Sequence, residues 1–135
     1  PLHPQNWAAE KKVDYDYGFW YKEKDLKEHT FCWTKQKSGI YLYFDESGKS
    51  RKIKLFCGAP LHMLPEKEQK VDIFWKGKIF KSVVFKENKE FLFSIEEKPY
   101  DMGFLEFRVN PAFNLKKMGL SEESRDLGIQ VYFNF

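Results

Sequence analysis

The C-terminal stretch alternates apolar residues with more polar ones, and it constrains the fold more than any other part of the chain. The alternating apolar residues of this stretch are Leu127, Ile129, Val131, Phe133 and Phe135. Neighbouring side chains of a strand point to opposite faces of a sheet, so this alternation predicts a β-strand with one buried face. The chain must therefore contain a sheet that covers a hydrophobic core.

Strand-like runs recur at intervals of roughly ten residues. The clearest pair is a hairpin at residues 71–85, in which two alternating runs flank the turn Lys76-Gly77-Lys78. About nine short strands are predicted, and residues 114–118, just before Gly119, favour one turn of helix. Short strands separated by turn residues are typical of sandwiches, and no helical period suggests βαβ units. We predict an all-β fold: a two-sheet antiparallel β-sandwich, jelly-roll-like, with one short helical turn near the C-terminus.

A chain of 135 residues can bury a core of its own in one domain. The polar residues 1–12 include two prolines and are predicted to form a linker or docking arm, and residues 13–135 the β-sandwich. Because the chain starts without Met and stops inside a predicted strand, we expect a domain excised from a longer protein. The predicted core consists of Phe31, Trp33, Ile40, Leu42, Phe44, Ile53, Leu55, Ile73, Phe85, Phe93, Leu105, Phe107, Ile129 and Val131.

The charge of the chain argues against nucleic-acid binding. There are 23 basic and 20 acidic residues, a net charge of +3, and the two signs are mixed along the whole sequence. A nucleic-acid groove needs a clustered basic surface. No apolar run reaches the roughly 18 residues that a membrane-spanning helix requires. We therefore predict no nucleic-acid partner and no membrane span.

Residue types that carry catalysis are sparse and scattered. The three histidines are His3, His29 and His62, and no GxSxG or glycine-rich phosphate-binding sequence accompanies them. Most carboxylates lie beside lysines in turns, as on an ordinary solvated surface. The segment is predicted to be non-catalytic.

Three aspartates could contribute to a metal site. Asp14 and Asp16 share a strand face, and Asp101 could add an oxygen ligand for Ca²⁺. EF-hand spacing is missing, so outward acids on a half-exposed strand are the favoured interpretation, and no metal or cofactor is predicted. Cys32 and Cys57 are predicted to be buried free thiols rather than a disulfide.

Aromatic residues exceed what the core requires, and this surplus suggests sugar binding. Carbohydrate sites on sandwiches combine flat aromatic rings with polar groups that bond hydroxyls. The predicted outward aromatic residues are Trp20, Tyr41, Tyr43, Phe74, Tyr100 and Tyr132. Two interpretations stay open. These rings could stack on sugars, or they could form cross-strand pairs on a sheet that the parent protein covers.

Glu23 and Arg125 form the last candidate pair. A carboxylate and a guanidinium can form a bidentate pair, which would anchor the final corner to the first hairpin. The pair could equally grip a ligand, although the structural role is favoured. Together these considerations predict a ligand-binding site made of Trp20, Glu23, Tyr41, Tyr43, Tyr100 and Arg125.

Two phrases near the ends of the chain resemble a known family. The opening residues 18–23 (GFWYKE), 31–34 (FCWT) and 40–42 (IYL) resemble the start of an accessory β-sandwich domain, like a carbohydrate-binding module. That domain is attached to bacterial glycosyltransferases and methyltransferases of surface-polysaccharide synthesis. The closing residues 110–113 (NPAF) and 124–129 (SRDLGI) resemble its end. Cys32 stands where the motif usually has Arg.

The resemblance implies a non-catalytic module beside a transferase. Such a module would touch the growing polysaccharide or its lipid-linked acceptor, and its partners would be an oligo- or polysaccharide and the transferase domain of the same chain or complex. We therefore predict a carbohydrate-binding accessory module, cytoplasmic and held at the inner membrane face through its parent protein. The alternative is a structural β-sandwich that positions the transferase without binding sugar. A groove lined with aromatic residues favours the first function, and a flat apolar patch the second.

Overall fold

A computed structural model describes residues 13–45 and 50–133, with side chains from residue 17 onward. The predicted arm at residues 1–12, the side chains of Asp14 and Asp16, and Phe135 lie outside the described residues. Strands make up most of the described chain, and every pair of neighbouring strands is antiparallel. The all-β prediction is confirmed.

Eight strands and one short 3₁₀ helix occur in the described residues. The strands are β1 (Val13–Lys24), β2 (Thr30–Tyr43), β3 (Arg51–Phe56), β4 (Gln69–Trp75), β5 (Lys78–Phe85), β6 (Glu90–Ile95), β7 (Met102–Asn110) and β8 (Gln130–Phe133). The 3₁₀ helix, Leu61–Met63, lies between β3 and β4. Residues 114–118 form a turn, in which the Met118 amide donates to the Asn114 carbonyl at 3.1 Å.

The strands form one curled sheet with two halves. Their order is β5-β4-β7-β2-β8-β3-β6. Strands β7 and β8 pair with different parts of the same edge of β2, and β1 pairs with the opposite edge. Strand β2 belongs to both halves, because residues 37–43 pair with β7 while residues 32–33 pair with β8. The curl brings the two ends of this order together, where the rings of Phe80 and Phe93 lie 6.0 Å apart. The two predicted layers are therefore joined through β2.

The core lies between the two halves of the sheet. All fourteen residues predicted to face inward are buried, and they belong to one hydrophobic cluster. Cys32 and Cys57 are buried free thiols, as predicted. One residue of β8 departs from the burial that alternation predicts. Tyr132 was predicted to face outward, but the side chain is only 5% exposed.

Tyr132 is buried because the tip of the β1–β2 hairpin covers it. The Tyr132 hydroxyl donates to Asp25 Oδ2 at 3.2 Å, and Lys54 Nζ lies 4.2 Å from the ring centroid. Burial raises the pKa of the Tyr132 hydroxyl, and the neighbouring Asp25 carboxylate raises it further. Asp25 in turn accepts the backbone amides of Lys27 and His29, which shapes the tip. The hairpin tip therefore shields most of the Tyr132 side chain from solvent.

Candidate functional site

The structure brings together three of the six predicted site residues at one corner. Trp20 and Glu23 lie on β1, and Arg125 lies in the segment before β8. Arg125 Nη2 is 3.0 Å from Glu23 Oε2, and the guanidinium carbon lies 5.5 Å from the centroid of the Trp20 ring. Strand β1 and the segment before β8 therefore meet through these side chains.

The bidentate partner of Arg125 is Glu123, whereas the sequence pointed to Glu23. Arg125 Nε donates to Glu123 Oε1 at 2.8 Å, and Nη2 donates to Glu123 Oε2 at 3.0 Å. The Glu123 side chain also accepts the Arg125 backbone amide at 3.1 Å. These contacts, and a smaller one from Glu23, raise the pKa of Arg125 despite its partial burial. Two carboxylates thus fix the guanidinium in place.

Stability should depend on pH through this cluster. Side-chain hydrogen bonds from Arg125 hold the pKa of the Glu123 carboxyl below its usual range. A lowered carboxyl pKa stabilises the folded state above the unfolded pKa, and this contribution is lost as the pH falls through the folded pKa. We expect the free energy of unfolding to drop more between pH 7 and pH 3 in the wild type than in Glu123→Gln. Urea unfolding at both pH values measures this, and equal drops would contradict it.

Trp20 forms one wall of a depression of about 620 Å³ beside this cluster. Its indole N–H donates to the Asp126 carbonyl at 2.9 Å, and Lys35 Nζ lies 4.7 Å from the ring centroid. The other lining residues are Lys35, Gln36, Asn110, Pro111, Ala112 and Asp126. Among the described residues, the side chains of Gln36 and Asn110 have no hydrogen-bond partner. Two free amides therefore lie beside an anchored aromatic ring.

The other three predicted residues lie toward the far end of the same strands. Tyr41 and Tyr43 are 37% and 36% exposed near the end of β2, and Tyr100 is 76% exposed in the loop before β7. The Tyr41 ring lies 4.7 Å from that of Phe104. Tyr17 stacks on the other side of this group, 6.1 Å from Phe104. Tyr17, Tyr41 and Phe104 therefore form a second aromatic cluster.

Both clusters lie along one side of the sheet, called here the outer face. Residues directly opposite each other in antiparallel strands share a face, and β2 and β7 pair from Lys37–Arg108 to Tyr43–Met102. The outer face is formed on these two strands by Lys37, Gly39, Tyr41, Tyr43, Met102, Phe104, Glu106, Arg108 and Asn110. Asn110 lines the Trp20 depression, and Met102 is eight residues away, roughly 27 Å along β7.

The rings of the second cluster rest on a glycine. A Cβ at Gly39 would lie 2.6 Å from Phe104 Cε2 and 2.8 Å from Tyr17 Cε1. Because Gly39 has no side chain, the rings of Phe104 and Tyr17 can both pack against the backbone of β2 at this position. The Tyr17 side chain remains exposed to solvent there. The Tyr17 hydroxyl donates to Glu106 Oε2 at 3.1 Å, which places a carboxylate at the edge of the cluster.

The terminal motifs pack against each other beside the Trp20 depression. Thr34 lies in β2, and its carbonyl accepts the Gly128 amide at 2.7 Å, while its hydroxyl accepts the Ile129 amide at 3.1 Å. A Cβ at Gly128 would lie 2.7 Å from the Lys35 carbonyl. A threonine on one strand and a glycine on the facing segment are therefore both required at this contact.

Several residues of the outer face were missed by the sequence analysis. Gln36, Phe104 and Arg108 carry no local motif that marks them as functional, and Asn110 was part of the closing motif but was not singled out as a site residue. The available signal was that Phe104, Arg108 and Asn110 alternate with buried residues of β7. Their position opposite β2 depends on strand order, which alternation does not give.

Within residues 13–45 and 50–133, His, Cys, Asp and Glu form no group of three or more that could hold a metal ion. The same part of the chain has no helix with the length and hydropathy needed to cross a membrane.

No protein-family model matches the chain, and no curated protein matches its sequence. Among solved structures, the chain is similar to a family 35 carbohydrate-binding module from Clostridium thermocellum. That pair has 11% identity and a TM-score of 0.47 over 90% of this chain and 88% of that module. A family 35 module from an environmental isolate gives 9% identity and a TM-score of 0.45, over 91% and 92% of the two chains. The CBM36-1 domain of a multidomain xylanase from the hindgut metagenome of Trinervitermes trinervoides has 7% sequence identity to this chain. Its TM-score is 0.41, over 90% of this chain and 91% of that domain.

Proposed function

We propose that this domain is a non-catalytic carbohydrate-binding module and that a glycan chain lies along its outer face. The observation that carries the proposal is the placement of the aromatic residues. Trp20 lies beside one end of the face, and Tyr41, Tyr43 and Tyr100 lie toward the other. A linear glycan that follows the strands would reach both clusters.

The chemistry of the face suits a sugar. Aromatic rings contact the apolar side of a sugar ring, and a few well-placed polar groups bond its hydroxyls. Gln36 and Asn110 offer amide donors and acceptors beside Trp20, and Glu106 offers a carboxylate beside Tyr17. An amide that lacks a protein partner can exchange its bound water for a hydroxyl group at little cost.

Glu23 and Arg125 contribute to this site mainly by holding Trp20. Arg125 contacts the ring and is itself fixed by Glu23 and Glu123, while the Asp126 carbonyl holds the indole N–H. A ring fixed before binding loses less conformational entropy when a ligand arrives.

We further propose that the module serves a transferase of bacterial surface-polysaccharide synthesis, in the cytoplasm at the inner membrane face. This follows from the resemblance of the terminal motifs. In support, Trp20 and Glu23 of the opening motif contact Asp126 and Arg125 of the closing motif. The motifs thus form one structural unit. The module would then hold the growing polysaccharide while the transferase acts on it.

The test is a glycan array followed by titration calorimetry on the best ligand. Trp20→Ala and Tyr41→Ala should each weaken binding by about tenfold, because a lost aromatic contact is worth about 1.4 kcal/mol. Phe80→Ala is the matched control. Phe80 is also a part-exposed aromatic, but it packs on Phe93 at the closing edge of the sheet. Thermal unfolding checks that each variant is folded.

Two outcomes would contradict the proposal. Binding that is unaffected by both substitutions would remove the outer face as the site. A wild-type protein that binds no glycan on the array would remove the sugar-binding function. It would favour the alternative, in which the exposed aromatic cluster at Tyr41 and Phe104 docks a transferase.

A further inference from the structure

We propose that the middle of the outer face is an anion subsite, formed by Lys37, Lys70 and Arg108, that binds an acidic group carried by the glycan. This inference rests on the proposed function, since it names the class of glycan that the same face would select. The acidic group is a carboxylate or a phosphate ester, and both present paired oxygens to a guanidinium.

The three basic residues meet at a second depression on the face. Its volume is about 270 Å³, and Gln36 and Asn110 line both this depression and the one beside Trp20. Lys37 lies directly opposite Arg108 across β2 and β7, and Lys70 lies opposite Asn110 across β4 and β7. A glycan in the Trp20 depression would therefore extend into the basic one.

Arg108 is oriented by an aromatic ring and not by a carboxylate. Its guanidinium carbon lies 4.5 Å from the centroid of the Phe74 ring. Asp72 lies directly opposite Arg108 in the sheet, yet among the described residues no carboxylate oxygen lies within 4.0 Å of the guanidinium. Asp72 Oδ1 instead accepts the Ser82 hydroxyl at 2.8 Å. A guanidinium that is positioned by contact with a ring, and not by a carboxylate, keeps its N–H groups free for an outside acceptor.

The balance of charge in this depression favours an anion. Lys37, Lys70 and Arg108 face a single lining carboxylate, Asp72. Lys37 has no ionic partner among the described residues, and Lys70 Nζ has one carboxylate neighbour, Glu68 Oε1, at 3.8 Å. Arg125 shows the contrast. Both of its carboxylate partners lie within 3.0 Å, so its charge is already used within the fold.

The size and surroundings of the patch fit single acidic groups on a sugar chain better than a nucleic-acid backbone. Nucleic-acid binding requires a long basic surface that neutralises many phosphates. Here three basic residues lie in one small depression, with the Trp20 wall on one side and the Tyr41 cluster on the other. An isolated charge between aromatic contacts matches a glycan that carries an acidic group at intervals.

The experiment uses matched pairs of ligands that differ only in charge. The first pair is an alginate oligosaccharide and its carboxyl-reduced form, and the second is a phosphomannan oligosaccharide and its dephosphorylated form. We expect the acidic member of at least one pair to bind the full chain at least tenfold more tightly in 50 mM salt. That advantage should shrink in 500 mM salt, because exposed charges are screened. The pair that shows the difference identifies the acidic group.

Variants separate this subsite from the sugar-binding face as a whole. Arg108→Gln and Lys37→Gln should each lower affinity for the acidic ligand by about tenfold and leave the neutral ligand unchanged. Lys52→Gln, which makes the same charge change on β3, should alter neither. Equal affinity for both members of each pair, with binding still weakened by Trp20→Ala, would overturn the anion subsite alone. Absence of binding to every ligand here and on the array would overturn the proposed function with it.

Discussion

Replacement of Phe107 by alanine is expected to lower the free energy of unfolding by about 3–5 kcal/mol. Phe107 lies in the middle of β7 and is fully buried, opposite Ile73 of β4 and Ser38 of β2. Removing the ring loses the favourable free energy of transferring it from water to the core. It also leaves a cavity that the rigid neighbouring strands cannot fill. Domains of this size are stable by only about 5–15 kcal/mol, so the variant should be close to unfolding. Urea unfolding monitored by circular dichroism gives the difference directly.

Phe107→Leu is the control for this substitution. Leucine keeps most of the apolar volume, so the loss should be clearly smaller than in Phe107→Ala. Losses of equal size in the two variants would mean that the aromatic shape, and not the cavity, decides stability. A loss below about 1 kcal/mol in Phe107→Ala would show that the core can collapse around the gap.

Gly18→Ala should be destabilising by about 2–5 kcal/mol, combining a strained left-handed conformation with overpacking. Gly18 of β1, with φ +81°, lies opposite a bulge in β2, where the pairing of the two strands shifts between Tyr17 and Phe19. A Cβ at Gly18 would run into the Lys37 carbonyl oxygen and would lie 2.6 Å from Ser38 Cα. Both are backbone atoms of the strand that joins the two halves, so neither can move away cheaply.

Gly77→Ala separates the two causes. Gly77 has the same φ of +81° in the β4–β5 turn, but a Cβ there would meet nothing within 4 Å. This variant should lose only the conformational part, about 1–2 kcal/mol. The difference between the two alanine variants, measured by urea unfolding, is the cost of forcing β1 away from β2. If Gly18→Ala lowers the free energy of unfolding by no more than Gly77→Ala does, the two strands do not approach each other closely at the bulge.

The sequence predicted which side chains face the core better than it predicted how strands are joined. Period-two alternation identified the inward residues because burial follows side-chain direction. Local alternation predicts two separate strands, at residues 28–34 and 40–44. They form one strand, β2, because the exposed polar residues 35–37 lie where this strand passes from one half of the sheet to the other. Local polarity resembled a turn, and only long-range pairing shows otherwise.

The candidate site was predictable to a similar extent. Trp20, Glu23 and Arg125 were recognised together, and they do meet. Glu123 was not recognised as the bidentate partner, because its contact with Arg125 depends on the backbone turn between them. Arg108 was missed because its position on the outer face requires knowing that β7 lies beside both β2 and β4. Strand order arises from contacts distant in sequence, and no local pattern encodes it.

The sharing of β2 between both halves of the sheet affects how the chain is made. Cys32 of β2 pairs with Val131 of β8, so this part of β2 has no partner on that edge until nearly the whole domain has been synthesised. The half that contains β8 can be completed only then, and an unpaired strand edge on a nascent chain is a template for pairing with other chains. The order of the strands therefore makes β8 the segment that completes this half of the sheet.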